Sequence, residues 1–148
     1  MTSGEDLRAV LRVSARADYA IRMVVAMAVR PEEVLAREQL AHSEGLPVKF
    51  VDHVLRQLRN GGLIESRRGR YGGYRLTRPA EQISLAEVVH AVAEPQPAAP
   101  PREQPAQLTG WLADLWSGVS DTVDAALADI SIATLRDARR AETDVQGA

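Results

Sequence analysis

The side chains of this 148-residue chain that could do chemistry are mostly arginines. Arg67, Arg68, Arg70 and Arg75, with Tyr71 among them, surround Gly69, Gly72 and Gly73. Upstream, Pro47, Val48, Lys49, Phe50, Asp52, His53, Arg56 and Gln57 occupy the start and the solvent side of a helical pattern. Guanidinium groups on a glycine-bearing loop suit phosphate contact or insertion into a DNA minor groove. The plainer reading is a solvated, charged hairpin. Formal charge is uneven in the same sense. Residues 1–78 carry 14 Arg/Lys and 9 Asp/Glu, a net +5, and residues 79–148 carry 4 and 11, a net −7. A basic front half suits contact with a polyanion, although chance variation of surface charge gives the same figures.

Other chemistries find little support. With no cysteine, the chain has no disulfide, no thiol chemistry and no thiolate-held metal or iron–sulfur cluster. His42, His53 and His90 fall on three separate helical stretches without metal-ligand spacing, so no metal or cofactor is expected. His90 reads as a core or interface histidine. No phosphate loop, nucleophile elbow or carboxylate–histidine cluster supports an enzyme. The longest apolar run, Met23 to Val29, is far short of the ~20 residues of a membrane span. The first residues lack the basic and apolar regions of a secretory leader, so a cytoplasmic location is expected.

The elements that must position these side chains follow from periodicity. Ser14 is an N-cap candidate for a first helix whose Ala17, Ala20, Ile21, Val24, Met27 and Ala28 keep one buried face, ended by Pro31. A short second helix over about 36–44 turns through Gly45-Leu46-Pro47 into a third over 48–60, which buries Val51, Val54, Leu55 and Leu58. Two short strands around the glycine-rich loop form a hairpin. Ser84-Leu-Ala-Glu87 is a capping box for a fourth helix, with Ile83 and Val88 as its hydrophobic staple. Residues 94–107 hold five of the eight prolines and read as an extended linker. Beyond it, Leu112, Leu115, Val119, Val123, Leu127 and Ile130 define a long amphipathic helix with little of its own chain to pack on. A short terminal helix over 132–140 is expected to cap a partner subunit, with 141–148 as a tail. The fold class is therefore mainly α: a winged helix-turn-helix over 1–93 with a two-stranded β-wing, plus a long dimerisation helix within 108–140.

These residues also carry a family resemblance. Asp18-Tyr19-Ala20 after Ser14, Gly45-Leu46 with Phe50-Val51-Asp52-His53, Leu58-Arg59, Gly62-Leu63-Ile64 and Gly72-Gly73-Tyr74-Arg75-Leu76 resemble the Rrf2 family of bacterial regulators. So do Ser66, Gly69, Pro79, Ile83 and Val88-Val89, and the likeness covers residues 13–94. It implies a homodimer held by the long C-terminal helix, with the third helix of each subunit in one half of a palindromic operator on double-stranded DNA. Many relatives sense through a cluster whose cysteines lie between the fourth helix and the dimer helix. Here that stretch is the proline-rich linker without cysteine, so this sensing chemistry does not carry over.

The resemblance also assigns residues. Asp52 aligns with an acidic position that reads bases in some relatives, and a carboxylate can accept from the cytosine amine. The competing reading is a carboxylate favoured by the helix dipole. Tyr19 reads first as a core residue with its hydroxyl satisfied, although it and Arg16 sit where relatives approach the DNA backbone. Trp111 and Trp116 are expected as dimer anchors, with a small-molecule pocket as the other reading. The function expected is sequence-specific DNA binding by a transcription regulator, most simply a repressor, with an unidentified small-molecule or protein effector. The alternative is a winged-helix protein-interaction module that does not touch DNA.

Overall fold

The computed structural model describes residues 14–93 and 110–147. Residues 1–13 and the proline-rich linker expected over 94–107 lie outside the described residues. Six α-helices and one two-stranded antiparallel sheet make up the rest, as the periodicity predicts: α1 Ala15–Val29, α2 Arg37–Glu44, α3 Val48–Asn60, β1 Ile64–Arg67, β2 Gly73–Leu76, α4 Leu85–Ala91, α5 Trp111–Ala128 and α6 Ile132–Gln146. A single 3₁₀ turn, Ala80–Gln82, precedes α4.

Local chemistry sets each boundary. The Ser14 hydroxyl accepts from the Ala17 N–H at 3.1 Å and starts α1. Gly45 ends α2 with a left-handed φ of 63°, a conformation that carries no Cβ penalty in glycine. Pro47 caps α3, where a missing N–H costs nothing. At α4 the capping box is complete: Ser84 Oγ accepts from Glu87 N–H at 3.2 Å, and Glu87 Oε2 accepts from Ser84 N–H at 2.9 Å.

The core is apolar throughout the described residues. Met23, Val24 and Met27 of α1, Leu40 of α2, Val51, Val54, Leu55 and Leu58 of α3, and Ile83 are essentially inaccessible. Ile132 joins them at 0% exposure, with Ala133 beside it. This corrects the expectation for the terminal helix. It packs on α1 and the 3₁₀ turn of its own chain and runs on to Gln146, through most of the expected tail. Its entry is tied by an antiparallel bridge in which Leu85 N–H donates to Ile130 O and Ile132 N–H to Ile83 O, each at 2.8 Å. Three arginines fasten the rest: Arg136 to Glu81 at 2.9 Å, Arg139 to Glu44 at 2.8 Å, and Arg140 to the Val29 carbonyl at 2.9 Å.

Candidate nucleic-acid interface

Helix α3 presents two distinct sides. Its buried stripe is Val51, Val54, Leu55 and Leu58, and opposite it Lys49, His53, Arg56 and Asn60 are all exposed. On one flank Phe50, 56% exposed, meets the ring of Tyr19 edge-on at 6.2 Å between centroids. Tyr19 is half-buried and packs on the core, and Arg16 is half-buried one turn earlier on α1. Gln57 lies on that flank too. It is half-buried, with Oε1 sealed from solvent and without a partner among the described residues, so the expectation that Gln57 belongs to the exposed face is corrected. A helix that buries every third or fourth residue leaves only its far side free, and Gln57 sits at the edge of the covered arc. Pro47 and Val48 are exposed at the helix entrance.

On the other flank is Asp52. Nη1 of Arg37, the first residue of α2, donates to both its carboxylate oxygens at 3.2 and 3.1 Å. Nε of the same guanidinium donates to Glu38 at 2.7 Å. That hydrogen bond is the main reason the Glu38 carboxyl is held below the usual carboxylate range, and Glu38 with Asp52 pushes the Arg37 guanidinium up. Helix α3 has no acidic residue in its first turn, so the helix dipole does not explain Asp52.

The wing pairs Ile64 with Leu76, Glu65 with Arg75, Ser66 with Tyr74 and Arg67 with Gly73. Leu35 adds an antiparallel bridge on the other edge of β2: its N–H donates to Tyr74 O at 2.9 Å and its carbonyl accepts from Tyr74 N–H at 2.8 Å. That approach explains the glycine before Tyr74, because a Cβ on Gly73 would run into the Leu35 carbonyl. Arg75 is tied across the sheet to Glu65 and is not a free cation. Arg67, Arg68 and Arg70 are exposed, and Tyr71 at the tip is 85% exposed, with the Arg70 guanidinium 5.9 Å from its ring centroid.

Helix α5 departs from the single stripe expected of it. Trp111, Leu115, Trp116 and Val119 are 76, 51, 53 and 43% exposed. Leu112, Val123 and Leu127 are half-buried, as is Ile130, which falls beyond the end of α5 and not on it as expected, and α5 leans on α4 of its own chain. His90 reaches Asp124 at 3.1 Å with its side chain 59% exposed, so it joins the two helices from the surface and is no core residue.

The Rrf2 family model, described as an iron-dependent transcriptional regulator, matches residues 13–138. The chain belongs to the Rrf2 family. A protein of Mycobacterium tuberculosis named as an HTH-type transcriptional regulator, Rv1287, is 40% identical over 86 residues, 57% of this chain and 53% of that one. The matched segment spans about half the length of the curated relatives, 53, 53 and 51% for three of them. The solved structure of IscR from T. potens aligns with a TM-score of 0.70 at 23% identity, covering 87% of this chain and 89% of that one. CymR of Staphylococcus aureus aligns with a TM-score of 0.65 at 27% identity, covering 83% and 96%. The winged-helix fold is common to them.

The iron of the family description finds no thiolate here, since the chain has no cysteine. No three His, Asp or Glu side chains converge among the described residues. The residues present do not fit a cysteine-held cluster. Nor is any helix among them long and apolar enough to cross a membrane. Three polar residues of this surface, Arg37, Arg59 and Asn60, were not among those expected from sequence. Exposed spacing on α3 could have found the last two.

Proposed function

We propose that this Rrf2 protein is a sequence-specific DNA-binding transcription regulator. It acts as a homodimer on a palindromic operator, most simply by blocking a promoter. One observation carries the reading. Among the described residues, most arginines away from α3 and the wing are matched with carboxylates, Arg22 with Asp18, Arg30 with Glu33, Arg78 with Glu87, Arg136 with Glu81 and Arg139 with Glu44, while Arg140 donates to the Val29 carbonyl. Lys49, Arg56, Arg59, Arg67, Arg68 and Arg70 are exposed and have no carboxylate partner among the described residues. Unneutralised cations gathered on a helix and its wing are the electrostatic footprint of a phosphate backbone.

The dimer is supported by α5, whose exposed Trp111, Leu115 and Trp116 offer apolar surface that a second copy would cover. Any signal acts through chemistry other than a cysteine-ligated cluster. Selection from a pool of randomised duplexes tests the reading. The expected result is enrichment of an inverted repeat, its half-sites one helical turn (~34–36 Å) or a multiple apart. A pool that emerges unenriched contradicts it and favours a protein-interaction module.

A further inference from the structure

The Arg37–Asp52 pair is unexpected on local grounds. A cation at the first position of a helix opposes the dipole, so α2 gains nothing from Arg37 by itself. Its partner lies 15 residues away on the recognition helix. Both side chains are exposed, 46 and 40%, so burial does not require the pair either. What the pair does change is the DNA-facing surface. A lone carboxylate beside Lys49 and Arg56 would meet the phosphates with the wrong charge and with a freely rotating head. Held through both oxygens by one Nη1, it keeps a fixed plane, little net charge and spare lone pairs. The Nη2 edge of Arg37 has no partner among the described residues.

We infer that Arg37 is a specificity-determining residue: it positions and neutralises the Asp52 carboxylate so that α3 offers an oriented acceptor to a base edge. The inference rests on the DNA-binding reading. In the free guanidinium edge and the spare carboxylate lone pairs, donor and acceptor stand side by side, the combination that a base pair in the major groove presents in return.

The test is the randomised-duplex selection run in parallel on the full chain, Arg37→Gln, Asp52→Asn and the double variant, followed by titration of the winning duplex and of random duplex. Asp52→Asn should relax preference at one base pair per half-site by about tenfold, the scale of one good base contact. Arg37→Gln should alter preference at that same pair and weaken random-duplex binding. The double variant should match Asp52→Asn in both respects, because removing the carboxylate removes what Arg37 compensates. Arg37→Lys, a point charge without the fork, should restore random-duplex affinity more than base preference. If Arg37→Gln weakens every duplex evenly and Asp52→Asn does not relieve it, Arg37 is only a phosphate contact and the inference is overturned. If the parent chain enriches no sequence, the DNA-binding reading itself falls and takes the inference with it. Circular dichroism of each variant separates misfolding from altered recognition.

Discussion

At the scale of single residues, the carboxylates of this protein divide by what they hold. Asp52 serves the exposed face of α3, whereas Glu87 serves the fold. Glu87 accepts from Ser84 N–H and from Arg78 Nη2, each at 2.9 Å, and its carboxyl is held below the usual range first by the Ser84 backbone and then by Arg78. A carboxyl whose folded pKa is lowered stabilises the fold above its unfolded value of about 4.3, and the contribution is lost as pH falls through the folded value. Because it also breaks the capping box, Glu87→Ala should cost about 1 kcal/mol near neutral pH, the scale of a helix cap. Below the folded pKa the difference from the parent should shrink. Urea titrations at the two pH values check this, and an equal deficit at both would contradict the assignment.

At the scale of elements, the C-terminal helix is the piece that composition and periodicity misplace. Ile132 is wholly buried against the winged-helix core, and Arg139 crosses 95 residues of sequence to reach Glu44, whose side chain is 6% exposed. Ile132→Ala should destabilise the whole fold by about 2–5 kcal/mol, as buried Ile truncations do. Chemical denaturation would show it, and a loss confined to the C-terminal helix signal would mean that α6 is a separate unit. Features set by neighbours in sequence were legible beforehand: the Ser14 and Ser84 caps, the Gly45 turn and the α3 stripe. Features set by helix packing were not. Nothing near Arg37 announces Asp52, and nothing near Ile132 shows which core it enters. On α5, rows of apolar residues one position apart merge into one stripe in sequence, yet the structure half-buries Leu112, Val123 and Leu127 and leaves Trp111 and Leu115 exposed. The candidate interface was legible as a set of residue types, and its pairings were not.

At the scale of the whole molecule, a winged helix with exposed cations and a helix with exposed tryptophans are tied together by a C-terminal helix fastened into the core. Because α6 completes that core, removing everything after the linker would test folding rather than assembly. Leu115→Asp isolates assembly, since Leu115 is already half in water and its replacement costs the single subunit little. Sedimentation equilibrium should show a monomer for this variant and a dimer for the parent; a variant that remains dimeric would place the interface elsewhere. The central claim, that unpaired cations on α3 and the wing hold DNA, is tested most directly by titrating random duplex over a range of salt concentrations. The logarithm of the parent's affinity should fall linearly with that of salt. Arg68→Ala should flatten the slope by about 0.9 for each phosphate that the side chain neutralises, counted twice in a dimer. Affinity that is indifferent to salt, or a slope unchanged by removing these arginines, would contradict it.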